Sequence, residues 1–105
     1  MARFMRVIVF FDLPTLSSSD KKAYRHFRKI LIRNGFIMMQ ESVYVKLVLN
    51  KTAADVAIRQ LIKDRPKKGL VQVLIVTEKQ FSRMQYIVGD PDTDVVDDSE
   101  RTIIL

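Results

Sequence analysis

At 105 residues the chain has room for one domain built on one core, and with 48% hydrophobic residues, three Gly and three Pro it is neither a disordered tail nor a low-complexity tract. There is no cysteine, which excludes disulfides and thiolate metal sites and fits a reducing cytoplasm. The formal charge is +6, but it is unevenly spread: residues 90–105 hold six acids against one base, leaving 17 bases and six acids in residues 1–89, a surplus of 11. A body this basic points to a polyanionic partner, of which nucleic acid is the commonest.

Arg3 and Arg6 precede an apolar run as they do in a signal peptide. Asp12 interrupts that run after Val7-Ile8-Val9-Phe10-Phe11, however, too early for a secretory segment or a membrane span. The expectation is a soluble, cytoplasmic protein with no membrane partner. The run itself, β-branched and aromatic and stopped by Pro14, reads as a central strand buried on both faces, with one carboxylate where the strand ends.

A loop follows, and Ser17 with Asp20 three residues on has the spacing of a helix cap. Ala23, Tyr24, Phe27, Ile30 and Leu31 then trace one helical stripe, which Asn34-Gly35 ends. On the opposite arc lie Lys21, Lys22, Arg25, Arg28, Lys29 and Arg33, with no acid between Asp20 and Glu41. Solvated helix faces usually mix signs, because like charges at helical spacing repel. This face is therefore a candidate surface for phosphate backbone, the plain alternative being a merely solvated one. His26 lies among these bases and is given no role.

Phe36 to Met39 forms a short strand, and Gln40-Glu41 turns the chain into a strand from Ser42 to Leu49. In that strand Val43, Val45, Leu47 and Leu49 share one face, while Ser42, Tyr44 and Lys46 share the other. A second helix runs from Asn50 to Asp64, capped by Asn50 or Thr52, with Ala54, Ala57, Ile58, Leu61 and Ile62 inward. Arg65-Pro66-Lys67-Lys68-Gly69 breaks it before a strand from Leu70 to Val76 with almost no polar residue. Thr77 to Gln80 has capping-box spacing, and a turn and short strand over Phe81 to Val88 follow.

The order strand, helix, strand, strand, helix, strand is that of an α+β, ferredoxin-like βαββαβ sandwich spanning residues 1–89. Two helices cover one side of such a sheet, yet the first and fourth strands are apolar on both sides. A second copy on a two-fold axis is the simplest cover, so the chain is expected to be a homodimer. Residues 90–105 form an acidic linker ending in the β-prone Thr102-Ile103-Ile104-Leu105, suited to pairing with a sheet edge. The Asp90-Pro91-Asp92-Thr93-Asp94 start of that linker fails as a calcium loop, with Val95 where Gly is needed and Arg101 where Glu is.

For chemistry, one His and no Cys leave no nucleophilic triad, and the Gly content is too low for a phosphate loop. Asp12 is the candidate that remains, as a Mg²⁺ ligand and catalytic carboxylate. Mg²⁺ often takes one or two carboxylates beside water and phosphate oxygens, so two copies of Asp12 across a dimer axis could activate water against a phosphodiester. The bland reading of Asp12 is a turn-capping residue in Asp-Leu-Pro.

The segments Arg6 to Pro14, Lys22 to Lys29, Asn34 to Tyr44 and Thr77 to Phe81, taken in order, resemble the CRISPR-associated Cas2 family of systems carrying a large single-protein effector nuclease. The resemblance runs from about Arg3 to Ile104. It implies a ferredoxin-like homodimer that bridges Cas1 integrase dimers in a heterohexamer during spacer acquisition and holds duplex prespacer DNA across its basic surface. It implies as well a metal-dependent endonuclease acting on single-stranded RNA or on DNA, with Asp12 as the metal ligand, and a last strand, here Thr102 to Leu105, that pairs with the partner protomer. A third reading, a small allosteric or metal-handling domain, fits the fold but not the charge.

Overall fold

A computed structural model of the chain describes residues 3–90. The sheet has four antiparallel strands: β1 (Met5–Asp12), β2 (Ile37–Gln40), β3 (Val43–Val48) and β4 (Leu70–Thr77), in the spatial order β2-β3-β1-β4. Helices α1 (Ser18–Arg33) and α2 (Lys51–Lys63) connect them, and a short α3 (Glu78–Ser82) follows β4. This is the expected ferredoxin-like sandwich, with β1 paired on both edges at the centre. The expected acidic linker and terminal strand over Thr102 to Leu105 lie outside the described residues.

Local chemistry sets the boundaries. Ser17 Oγ accepts from the Asp20 backbone N–H at 3.0 Å, and Asp20 accepts back from the Ser17 N–H, a reciprocal box that starts α1. Gly35 leaves the helix at φ +86°, a conformation costly for a residue with a Cβ. Asn50, of the two cap candidates, caps α2 through its contact with the Ala53 N–H at 2.8 Å. Thr77 and Gln80 form the expected second capping box, at α3.

One core lies between the helices and the sheet. Val7, Val9 and Phe11 of β1 meet Phe27, Ile30 and Leu31 of α1 and Ala54, Ala57 and Leu61 of α2. Phe11 sits at its aromatic centre, edge-on to Phe27 at 5.2 Å and within 5.8 Å of Tyr24 and Tyr44. Two inward expectations fail: Ala23 and Ile62 are exposed, because each lies at the margin of its stripe and turns past the sheet. Residues 83–90 form no strand, since this stretch pairs with no sheet edge of its own chain.

The faces of β3 are assigned by burial. The polar-looking face is the one under the helices: Tyr44 is 2% exposed and belongs to the core with Val48. Val43, Val45 and Leu47 point to the side that α1 and α2 leave uncovered, where the register places them beside Phe10, Ile8 and Arg6 of β1. Leu70, Leu74 and Val76 of β4 share that side. The result is an apolar sheet face on which Leu74 is 51% exposed while Ile8, at its centre, is 5% exposed.

Candidate nucleic-acid interface and carboxylate site

The basic arc of α1 survives folding as a surface. Lys21, Lys22, Arg25, Arg28, Lys29 and Arg33 are all exposed, opposite the buried Phe27, Ile30 and Leu31. Among the described residues, none of the six takes part in an ion pair. Arg28 differs from the others because its Nε donates to the Tyr44 hydroxyl at 3.0 Å. That bond fixes one guanidinium at the edge of the array, while Tyr44 is itself fixed by the core.

Asp12 closes β1 on the other side of the sheet. Alternation along the strand sends Val9 and Phe11 into the core, and Phe10 and Asp12 to the uncovered face. The carboxylate is exposed, beside a shallow hollow of about 200 Å³ lined by Phe10, Ser42, Val43, Leu70 and Gln72. Among the described residues no side-chain hydrogen bond or ion pair uses it, so it does not cap the Asp-Leu-Pro turn. The six bases and Asp12 therefore lie on opposite layers of one chain, and the fold does not bring them together.

Asp12 alone is short of a metal site. No group of three or more His, Asp or Glu that could hold an ion occurs among the described residues. One exposed carboxylate is compatible with Mg²⁺, which takes one or two carboxylates beside water and phosphate oxygens, but Asp12 would need a second carboxylate from outside the described residues to make a pair.

Three structural features around these surfaces escaped the sequence reading. Gly69, at φ +93°, packs so closely that a Cβ there would lie 2.7 Å from the Asp12 carbonyl oxygen and 2.7 Å from Leu13 Cδ2. It holds the end of β1, and hence Asp12, against the start of β4; the only sequence signal was a Gly in a helix-breaking loop. Arg6 grips the Glu78 carboxylate through Nε and through Nη2 at 3.0 Å, and its guanidinium lies 4.4 Å from the Phe81 ring centroid. Glu78 is held below its usual carboxylate range chiefly by the Arg6 hydrogen bond, and Arg6 is raised by the same bond. Nothing in a chain 72 residues apart announces that pair. The third is the Arg28–Tyr44 bond described above.

The described residues thus form a two-layer ferredoxin-like domain with a basic helix face and an exposed carboxylate at the end of its first strand. Residues 5–84 match the family model described as CRISPR associated protein Cas2. A relative from Treponema denticola, named CRISPR-associated endoribonuclease Cas2, is 50% identical over 96% of this chain and its own full length. One of the same name from Streptococcus mutans is 48% identical over 96% of this chain and 93% of its own. A solved structure titled "Crystal structure of cas2" superimposes with a TM-score of 0.61 over 90% of this chain and 97% of its own, at 20% identity, and shares the fold. The chain belongs to the CRISPR-associated Cas2 family, whose relatives bear a nuclease name. Among the described residues no helix is long and apolar enough to cross a membrane.

Proposed function

We propose that this chain is the nucleic-acid-binding subunit of CRISPR spacer acquisition, a homodimer that holds duplex prespacer DNA and bridges Cas1 integrase dimers. The observation that carries the reading is the outer face of α1, six exposed bases with no acid among them. Such an array costs stability by self-repulsion, which a phosphate backbone relieves. Contacts of this kind position a duplex without reading its bases, as suits a protein that must accept any spacer sequence. The uncovered apolar face supplies the homodimer surface.

A second reading rests on Asp12 and on the endoribonuclease name of the relatives. In a dimer built on the uncovered face, Asp12 of each protomer lies at that interface and the two carboxylates would hold one Mg²⁺. The ion would supply Lewis-acid polarisation of a phosphodiester and a water acidic enough to attack at neutral pH. Asp12 would hold the ion, and Gly69 fixes the strand end that carries it. Single-stranded RNA and duplex DNA are the two substrates to compare.

The test is cleavage of labelled duplex DNA and single-stranded RNA with Mg²⁺ by the wild type and Asp12→Ala, with duplex affinity measured on the same samples. Cleavage lost in Asp12→Ala with binding intact makes Asp12 the metal ligand of an enzyme. Duplex binding that ignores Arg25→Glu and Lys29→Glu overturns the subunit reading.

A further inference from the structure

Between the first turns of α1 and the segment joining α2 to β4, the surface folds into a cleft of about 420 Å³. Its floor is apolar, formed by Leu13, Pro14, Ala23 and Phe27, and Pro66 faces them from the opposite wall. Its rim carries Lys67 and Lys68 on the connecting segment and His26 on the helix. Of the two acids in its lining, Asp20 is held by its capping box and by Lys68 Nζ at 3.6 Å, and Asp64 ends α2. Lys67 takes part in no ion pair among the described residues. Apolar cover beside an unneutralised ammonium group suits an aliphatic segment flanked by acids.

The chain contains such a segment. Asp94-Val95-Val96-Asp97-Asp98 sets two adjacent valines between acids, in the stretch 90–105 that holds six acids against one base. The body to which it is joined has the opposite surplus, 17 bases against six acids in residues 1–89. Reach is sufficient. The cleft lies at the Leu70 end of β4 and α3 at the Thr77 end, separated by 8 strand residues or about 26 Å. The thirteen residues from Arg83 to Val95 span up to about 43 Å when extended, enough to return along the strand and pass over its edge. A tether this short gives an effective concentration on the order of millimolar, so a contact too weak for a free peptide is occupied in the intact chain.

The cleft borders the basic face at His26. At about 100° per residue, His26 falls some 20° from Arg33 and 40° from Lys22 on one side, and 60° from Ala23 on the other. With valines seated on Pro14 and Ala23, the acids that follow them, Asp97, Asp98 and Glu100, come to that border, because each further residue advances the chain by about 3.3 Å. There they face Lys22 and Lys29, which a phosphate backbone would otherwise occupy.

We infer that Val95 and Val96 of the same chain dock in this cleft, with Asp94 on Lys67, and that the acids after them compete with nucleic acid for the basic face of α1. The competition rests on the nucleic-acid reading of that face, whereas the docking stands on the cleft and the segment's own chemistry.

The absence of cysteine gives a direct test on the full chain. Ala23→Cys, at an exposed helix position in the cleft, combined with Val95→Cys supplies two thiols that join only if their α-carbons come within about 7 Å. Mild oxidation should close an intrachain disulfide, read on a non-reducing denaturing gel as a monomer of altered mobility. Closure should be at least about tenfold faster than for Thr52→Cys with Val95→Cys, as a docked segment is concentrated at one site only. Thr52 is also exposed but lies about 18 Å from Asp64 along α2. Lys67→Glu in the first pair should slow closure by about threefold, since a like charge then faces Asp94. The oxidised form should bind duplex DNA at least about threefold more weakly than the same sample after reduction, because locking the segment depletes the binding-competent state. Val95→Ser with Val96→Ser, in the otherwise unaltered chain, should bind duplex more tightly than the wild type. Equal closure rates for the two cysteine pairs, or a covalent dimer in place of the intrachain product, overturns the docking and the inference with it. Equal affinity of the oxidised and reduced forms, with binding that still weakens in Arg25→Glu with Lys29→Glu, overturns the competition. Duplex binding that is absent, or indifferent to that charge reversal, overturns the basic-face reading and the competition with it, and the closure rates then decide the docking by themselves.

Discussion

The α-carbon of Gly69 stands against the backbone of Asp12, so near that a Cβ at position 69 would come within 2.7 Å of the Asp12 carbonyl oxygen. Its φ of +93° closes the position to other residues a second time. Gly69→Ala should lower unfolding free energy by about 1–3 kcal/mol, the cost of a strained backbone site, and shift the end of β1. Denaturant unfolding measures the first effect. If cleavage depends on Asp12, Gly69→Ala should lower it without changing the salt dependence of duplex binding.

Charge reversal tests the outer face of α1. Arg25→Glu with Lys29→Glu should weaken duplex binding and reduce the slope of log affinity against log salt by roughly one unit per lost phosphate contact. Both side chains are exposed and opposite the core, so the fold should be retained and thermal stability unchanged or slightly raised as the self-repulsion is relieved. Titrations at several salt concentrations read the slope directly.

Tyr44→Phe probes Arg28, the base of the α1 array that is bonded to a core side chain. Tyr44 is buried and its hydroxyl accepts from Arg28 Nε at 3.0 Å. Losing that bond should cost about 0.5–1.5 kcal/mol of stability, read by chemical denaturation.

The Arg6–Glu78 pair gives a pH signature. Because the folded state holds Glu78 below its ordinary range, the pair's stabilisation is fully present above the unfolded carboxyl's value and is lost as pH falls through the folded one. Stability should therefore decline on the acid side of about pH 4, and Glu78→Gln should make that decline shallower. The loss at neutral pH should stay under about 1 kcal/mol, since both partners are partly exposed to solvent. Melting curves of the two proteins from neutral to acidic pH provide the comparison.

The uncovered sheet face predicts assembly. Leu74→Asp places a charge at its centre beside Ile8 and should convert a dimer into a monomer with the fold retained. Light scattering coupled to gel filtration decides it, and a wild-type monomer would remove the basis for pairing two Asp12 carboxylates.

What the sequence determined was local and periodic. Capping at Ser17 and Thr77, the left-handed exit at Gly35 and the two amphipathic stripes depend on neighbours within a turn or two, so residue spacing reveals them, while the cap of α2 stayed open between Asn50 and Thr52. The strand order followed from them, because chirality and short connections leave few ways to arrange six such elements. The basic arc was legible for the same reason, since a helix maps spacing directly onto a face.

Tertiary structure alone decided which face was which. Alternation in β3 separates Tyr44 from Val45 but is symmetric, and only the helices, by covering Tyr44, made the more apolar side the open one. The same asymmetry set Asp12 and the bases of α1 on opposite layers. It also closed contacts over long separations, Arg6 with Glu78 and Gly69 with Asp12, which leave no periodic trace because they depend on how β1 and β4 lie in register.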